Sequence, residues 1–577
     1  MDDVNVLRGE PLPPVPQISL GQYLLSNLQQ KGDEVAQIDV VTGETQTFQQ
    51  ILTKSNRAAH YLYGLGIRPG DVVGISSENN LDFFIPVLAA FYNGAACAPF
   101  NPAYTEGELE HSMNISRPRI VFASSLTISR VIKAAENIDS IRDIVLIGRT
   151  NPGPLPYNIR RLSDFINSPQ CSSSTFIPAQ VNHERDVCLI LCSSGTTGLP
   201  KGVELTHRNF ITFIQVCMLG ALPQHDDNGP ENLLGLLPFY HGYGFALLSL
   251  AIVRGDKVVV FPRFEEELFL RAVQDFKIST LYVVPPLMVF LAKHPIVDKY
   301  NLSQVKTIIC GAAPLNKDTQ DAVSMRIGVK DIRQGYGMTE TSILATAAQN
   351  YPVKLGSSGR VVQGFMAKIV DVETGKSLPR NKEGEICFKG PMIMKGYRNN
   401  KEATVLTIDK DGWLHTGDIG YFDNDGDIFV VDRIKELIKY KGFQVAPAEL
   451  EAVLYTNKAV RDACVVGKPD EISGEIPVAF VVLQPNMKVT EKELVDYVNG
   501  KFLAFKPILR HEFLHKRNSE AVCALCQKSL ATPVVNYSAE FYDPNYEVAA
   551  YIPYRLIRLT SVSYVSLFFS QHMRLLY

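Results

Sequence analysis

The stretch richest in chemistry is Leu191-Cys192-Ser193-Ser194-Gly195-Thr196-Thr197-Gly198-Leu199-Pro200-Lys201-Gly202. An apolar run, Val187 to Cys192, precedes it and reads as a buried strand. The strand ends in a loop of hydroxyls and glycines closed by one lysine. Glycines let backbone N–H groups approach an anion closely, and hydroxyls and a lysine add donors and charge. Ser193, Ser194, Gly195 and Gly198 would cradle a phosphate, with Thr196, Thr197 and Lys201 acting on it. The spacing is not that of the P-loop, which needs Gly, four residues, then Gly-Lys-Ser/Thr, and here Pro200 precedes the lysine. The stretch is therefore another kind of phosphate loop, or an ordinary surface loop, for which Gly, Ser and Thr are also common.

Four later stretches carry further chemistry. Leu236-Leu237-Pro238-Phe239-Tyr240-His241-Gly242-Tyr243-Gly244-Phe245 sets His241 among aromatics and glycines, as a core histidine or a pocket wall. Val305–Cys310 runs into Gly311-Ala312-Ala313-Pro314-Leu315. Small residues at a strand end leave room for a planar ring, or for a close strand–helix contact. In Arg333-Gln334-Gly335-Tyr336-Gly337-Met338-Thr339-Glu340-Thr341, Gly335 and Gly337 let the chain pass close to a ligand. There Tyr336 can stack on a base, Thr339 can donate to a phosphate, and Glu340 is a hard oxygen ligand suited to Mg2+. Alone, Thr-Glu-Thr also fits a helix cap. Asp418, closing Gly412-Trp413-Leu414-His415-Thr416-Gly417-Asp418, can accept from paired ribose hydroxyls or serve as a turn aspartate. Nearby Asp423-Asn424-Asp425-Gly426-Asp427 mimics part of a calcium loop but lacks its closing Glu, so it reads as a hairpin turn.

These stretches need a scaffold, and the pattern around them supplies one. Val40 to Thr45 reads as a hairpin turn, and Thr47 caps a helix with Ile51, Ala58, Ala59 and Leu62 on one face. Strands at Val72–Ser76, Ala96–Pro99, Ile120–Phe122 and Ile144–Ile147 alternate with helices at Phe83–Tyr92, Glu106–Met113 and Ile128–Ala135. Such alternation predicts parallel sheets covered on both faces. Pro11, Pro13, Pro14 and Pro16 exclude a helix at the start, and Leu20–Leu28 reads as a loose amphipathic lead-in packed on the surface.

The chain has 577 residues, too many for one core. Its net charge of −3 provides no field for nucleic acid or anionic membrane. No run reaches the length of a transmembrane helix, and Met1-Asp2-Asp3-Val4 lacks a signal peptide's basic start and apolar core. The scattered cysteines, several in apolar runs (Cys188, Cys192, Cys310, Cys387, Cys464), point to buried free thiols in a reducing compartment. The oligomeric state is not legible.

Ser-Ser-Gly-Thr-Thr-Gly-Leu-Pro-Lys-Gly-Val resembles the signature of the adenylate-forming superfamily, which includes acyl-CoA synthetases, 4-coumarate–CoA ligases and beetle luciferases. The resemblance runs from about Thr47 to about Phe502. It implies an α/β fold: a large N-terminal domain of two parallel-type sheets flanked by helices, plus a small β-barrel subdomain whose edge is Gly384–Pro391. A hinge at Asp432 joins it to a small α+β C-terminal lid. The expected boundaries are 1–432, 433–502 and a divergent tail, 503–577. The resemblance implies an ATP-dependent acid–CoA ligase whose substrates are a small carboxylic acid, ATP and coenzyme A, with Mg2+ at Glu340. It places His241 and Tyr243 at the wall of the acyl pocket and adenine at Gly311, Ala312 and Ala313. It carries Gln334, Gly335, Tyr336, Gly337 and Thr339 into nucleotide binding, and matches Arg433 to a ribose-contacting arginine. It turns Lys439 and Gln444 toward the adenylate, and assigns Lys441 and Gly442 to the CoA tunnel. Two other readings stand beside this one: a luciferase-like monooxygenase, against which Phe213 occupies the place of a luciferin-pocket arginine, and a non-catalytic nucleotide-binding form.

Past Phe502 the family would continue to a motif like Pro-x-Thr-x-Ser-Gly-Lys, whose lysine bridges the carboxylate and the α-phosphate during adenylation. No such stretch occurs in residues 503–577, which read as an unrelated replacement and predict impaired adenylation. Family resemblance implies the peroxisome. The end Arg574-Leu575-Leu576-Tyr577 is no Ser-Lys-Leu signal, which leaves the cytoplasm as the other expectation. His511, His515, Cys523 and Cys526 offer four potential zinc ligands in an unusual order, read as coincidence.

Overall fold

The computed structural model describes residues 5–148, 159–167, 174–193, 200–224, 229–315, 317–349, 352–434, 436–440, 443–445, 447–470, 474–484, 487–499 and 510–511. The largest sheet has eight strands in the order Gly396–Tyr397, Lys201–Thr206, Val187–Ser193, Ala96–Phe100, Val72–Ser76, Ile120–Ala123, Asp143–Leu146, Arg160–Arg161. Its βαβ part is parallel, as the alternation predicts, while Lys201–Thr206 pairs antiparallel with both its neighbours. A second layer joins parallel strands Asn232–Gly235, Lys257–Val260 and Val35–Asp39, with Thr45–Thr47 folded back antiparallel. In a third sheet, Thr280–Val283, Thr307–Cys310 and Asp331–Tyr336 are parallel, and two short strands close it antiparallel. The sheets are thus mixed at their edges, because consecutive strands joined by tight turns can only pair antiparallel.

Local signals account for the first helices. Thr47 and Gln50 form a capping box at the start of Phe48–Gly64, and Gly43 takes φ 73° in the preceding hairpin. The lead-in helix Leu20–Leu28 is not a surface element: Leu20, Leu24, Leu25 and Leu28 are buried. Gly21 lies against the backbone of Phe91 and Tyr92, and Leu20 N donates to His207 Nδ1 at 3.0 Å. Burial holds His207 neutral, with its pKa lowered to about 4.

An antiparallel five-stranded sheet, ordered Leu7–Arg8, Met366–Val370, Gly384–Lys389, Leu414–Phe422, Ile428–Arg433, forms the subdomain expected around Gly384–Pro391. Its acidic turn is a hairpin, as expected, and Lys354 Nζ lies 2.5 Å from Asp423 and 2.6 Å from Asp425. Beyond it the lid sheet is ordered Phe443–Val445, Ile438–Tyr440, Gly474–Leu483, Val460–Asp470, with helices Pro447–Tyr455 and Glu491–Asn499. Residues 510–511 pair parallel with Gly474–Leu483. Cys97, Cys188, Cys192, Cys217, Cys310 and Cys387 are free thiols, whereas Cys464 is disulfide-bonded. No described helix is long and apolar enough to cross a membrane.

Lid and main domain meet at Lys293, the last residue of helix Pro285–Lys293. Its Nζ donates to the Tyr455 and Val460 carbonyls at 2.5 and 3.0 Å. On the same side of the lid, Glu451 accepts from Val465 N at 2.8 Å. Burial lifts its carboxyl to about 8, and the like charges of Asp432, Asp462 and Glu436 add to the rise. A carboxyl raised in the folded state stabilises fully below its ordinary value of 4.5, and that contribution is lost as pH rises through about 8. Thermal stability is therefore expected to fall by up to a few kcal/mol between pH 6 and 9, since one pKa unit is about 1.4 kcal/mol. Glu451→Gln should flatten the profile in differential scanning calorimetry, and an equal slope in the variant would refute the assignment.

Candidate active site

Strand Val187–Ser193 and strand Lys201–Thr206 are adjacent, with Ser193 opposite Lys201. Both ends of the hydroxyl–glycine loop are therefore anchored in one sheet, and His111 Nε2 meets the Pro200 carbonyl at 3.2 Å. Ser194, Gly195, Thr196, Thr197 and Gly198 lie outside the described residues. Ser193 Oγ is buried and has no hydrogen-bond partner among the described residues. An orphaned hydroxyl at a loop mouth is a donor awaiting an acceptor, which suits a phosphate oxygen.

Strand Gly396–Tyr397 lies along the other edge of Lys201–Thr206. This register carries Tyr397 to Lys201, whose Nζ stands 4.9 Å from the ring centroid. The Tyr397 hydroxyl donates to Glu340 Oε1 at 2.9 Å, and Glu340 is only 3% exposed. The second carboxylate oxygen is not engaged by that bond. One buried carboxylate beside a phosphate loop fits Mg2+, which is commonly held by one or two carboxylates together with substrate phosphates. Sequence reading missed Tyr397: a single tyrosine after a glycine has no periodicity, and only the sheet register makes it relevant.

Strand Asp331–Tyr336 delivers Tyr336, whose hydroxyl donates to Asp418 Oδ2 at 2.6 Å. Arg433 Nε lies 3.4 Å from Asp418 Oδ1. Burial raises the Asp418 carboxyl above the usual aspartate range, with Arg433 and the Tyr336 hydroxyl opposing the rise. The structure thus unites Tyr336, Asp418 and Arg433. Gln334 is engaged differently: its Oε1 accepts from Leu315 N at 3.1 Å and its Nε2 donates to Leu315 O at 3.2 Å. Its amide therefore clips the Gly311–Leu315 turn to the sheet. Within that turn Ala312 has φ 73°, strained for a residue with a Cβ.

The two glycines of the Gly335-Tyr336-Gly337 unit do different work. A Cβ on Gly335 would meet its neighbours at 3.4 Å, ordinary contact. A Cβ on Gly337 would lie 2.0 Å from the Ile343 carbonyl oxygen. Gly337 therefore admits the backbone of Ile343–Leu344, itself held with Ile343 at φ 83°.

His241 caps helix Gly242–Arg254, with Tyr243 N donating to its Nδ1 at 3.3 Å. An accepting Nδ1 leaves the ring proton on Nε2. His241 and Thr339 share a cleft with Pro99, Asn101, Tyr104, Cys192 and Tyr240. Burial pushes the Cys192 thiol up to about 11, so it is not a nucleophile. The Tyr243 ring lies over Gly311, 3.5 Å from where a Cβ would sit.

In the lid, Lys439 and Gln444 are directly opposite across a tight antiparallel pair. Lys441 and Gly442 lie outside the described residues, as do His515, Cys523, Cys526 and the side chain of His511.

The AMP-binding enzyme family model matches residues 25–398, and the AMP-binding enzyme C-terminal domain model matches 449–516, past Phe502. A luciferin 4-monooxygenase of Photinus pyralis is 42% identical over 470 residues, 80% of this chain and 84% of that protein. A 4-coumarate–CoA ligase 1 of Petroselinum crispum is 39% identical over 505 residues, 86% and 90% of the two chains. The structure of ATP-bound MatB from Rhodopseudomonas palustris superposes with a TM-score of 0.77 at 26% identity, covering 87% of this chain and 96% of that one. With one family model matched over residues 25–398, its C-terminal companion over 449–516, and relatives near 40% identity over most of its length, the chain belongs to the AMP-binding enzyme family, whose members include acid–CoA ligases and luciferases.

Proposed function

We propose that the protein is an ATP-dependent acid–CoA ligase that works through an acyl-adenylate. The observation that carries the reading is the convergence of Lys201, Tyr397 and Glu340 where the loop re-enters the sheet, beside a second bonded group of Tyr336, Asp418 and Arg433. In the first step the acid's carboxylate attacks the α-phosphorus of ATP and pyrophosphate leaves. Lys201, Thr339 and the loop hydroxyls position the phosphates, while Asp418 takes the ribose hydroxyls. Mg2+ held at Glu340 would neutralise phosphate charge. In the second step the CoA thiol attacks the acyl carbonyl and AMP leaves, with Lys439 and Gln444 brought in by the lid. His241 stands at the acyl end of the cleft. The 39% identity to a 4-coumarate–CoA ligase supports this class.

The first step is proposed to be slow. A preorganised donor is worth ~10²–10³ in rate, and the lysine motif expected after the lid is absent from 503–577. The test separates the halves. With Mg-ATP, CoA and a panel of aromatic and fatty acids, pyrophosphate release should be acid-dependent but weak. CoA thioester formation from synthetic acyl-AMP should be about 10²-fold faster or more. Equal rates would sink the impairment, and no release with any acid together with no thioester from acyl-AMP would sink the ligase. The second reading, a luciferase-like monooxygenase, is favoured by the 42% identity to a luciferin 4-monooxygenase. Light from luciferin with ATP would establish it.

A further inference from the structure

We propose that Glu385, Cys387 and His415 form a site for one divalent transition-metal ion of the zinc type, separate from the nucleotide site. The three side chains lie on adjacent antiparallel strands, Gly384–Lys389 and Leu414–Phe422, with Cys387 directly opposite His415. Between Glu385 and Cys387 the register shifts, so that Glu385 pairs with Ile419. Such an irregularity re-aims a side chain. Here it turns the Glu385 carboxylate onto the same imidazole that Cys387 faces.

Glu385, Cys387 and His415 each offer one ligand atom, a carboxylate oxygen, the thiol sulfur and a ring nitrogen, and these lie within 4.8 Å of one another. Sγ to Nδ1 is 3.5 Å. A tetrahedral ion with Zn–S near 2.3 Å and Zn–N near 2.0 Å sets the same pair about 3.5 Å apart. Oε2 to Nδ1 is 2.7 Å, a hydrogen bond that must open by roughly half an ångström to admit the ion. Glu385 can give up Oε2 without losing its other role, because Gly417 N donates to Oε1 at 3.0 Å.

The outer partners also fit. A metal-bound histidine usually directs its second nitrogen to a carboxylate. Asp409 Oδ2 lies 3.7 Å from His415 Nε2, and Asp409 Oδ1 is fixed by the Asp411 and Trp413 N–H groups at 2.9 Å each. Imidazole, thiolate and carboxylate together select zinc-like ions over Mg2+ or Ca2+. Cys387 is buried and His415 partly exposed, which leaves an approach for the ion and a fourth position for water. One cation, Lys368, stands nearby, 4.4 Å from the Trp413 ring centroid.

The full chain, stripped of metal by a chelator, is titrated with Zn2+ against a colorimetric competitor and separately with Co2+. One ion per chain is expected at this site, with a thiolate-to-cobalt charge-transfer band and quenching of the single tryptophan, Trp413. Cys387→Ser should abolish the band. Asp409→Asn, which keeps Oδ1 as an acceptor, should weaken binding ~10–100-fold. Glu385→Gln preserves the bond to Gly417 and should weaken binding at least as much, so the test stands even if Cys387→Ser fails to fold. A His511→Ala/His515→Ala/Cys523→Ser/Cys526→Ser variant removes the candidate ligands of the tail and should retain the ion. Absence of the cobalt band, binding unaffected by Glu385→Gln, or binding lost only in the tail variant would overturn the proposal.

Discussion

Glu340→Gln is expected to lower acid-dependent pyrophosphate release by about 10²–10³, the usual consequence of removing one preorganised electrostatic partner from a phosphoryl site. Glu340 is 3% exposed, and the Tyr397 hydroxyl occupies Oε1 at 2.9 Å. Glutamine keeps the shape and an oxygen for Tyr397, so the fold should survive. It removes the negative charge, so the affinity for Mg-ATP should fall while binding of ATP without Mg2+ holds. Isothermal titration with and without Mg2+, beside initial rates, distinguishes charge from shape. Unchanged rates at saturating Mg-ATP would show that Glu340 is a structural acceptor for Tyr397 and nothing more.

Gly337→Ala should produce the largest loss of stability among the site glycines, about 3 kcal/mol or more. Overpacking usually costs 1–3 kcal/mol when side chains can move aside. Here the atoms in the way are backbone: Ile343 O at 2.0 Å, Ile343 C at 2.7 Å and Leu344 Cα at 2.8 Å. They belong to a segment already strained at Ser342 and Ile343, with φ 52° and 83°. Gly311→Ala is the contrast, since its Cβ would meet Tyr243 at 3.5 Å and the Gly335 carbonyl oxygen at 3.6 Å. That variant should fold normally and, with adenine placed against Gly311 as proposed, raise KM for ATP before it changes kcat. Urea midpoints at constant slope report the difference. Equal midpoints for the two variants would mean that the Ile343 turn can yield.

Lys293 holds the Tyr455 and Val460 carbonyls, and burial lowers its pKa, so its proton is held less firmly than that of an exposed lysine. Glu451, beside the Asp432 carboxylate, is instead pushed toward its neutral form. The two shifts oppose each other: the raised Glu451 carboxyl favours the folded arrangement at lower pH, whereas the lowered Lys293 ammonium favours it at higher pH.

By itself, the sequence determined what short windows can encode. The hydroxyl–glycine loop after a buried strand, the Thr47 capping box, the Asp423–Asp427 hairpin and the alternation of strands and helices each follow from backbone preferences within a few residues. The motifs containing Tyr336, Glu340 and Asp418 were legible for the same reason, since each carries its own glycines and hydroxyls. Only tertiary structure decided which groups meet. Tyr397 reaches Glu340 because a two-residue strand pairs with Lys201–Thr206. The Leu20–Leu28 helix is core because His207, far along the chain, accepts its first N–H. Gly337 is required by a chain segment that folds back six residues later, and Glu385, Cys387 and His415 converge through a register shift between strands. Local propensity acts between neighbours in sequence, whereas register, burial and steric exclusion act between neighbours in space, and nothing in a short window records the second set.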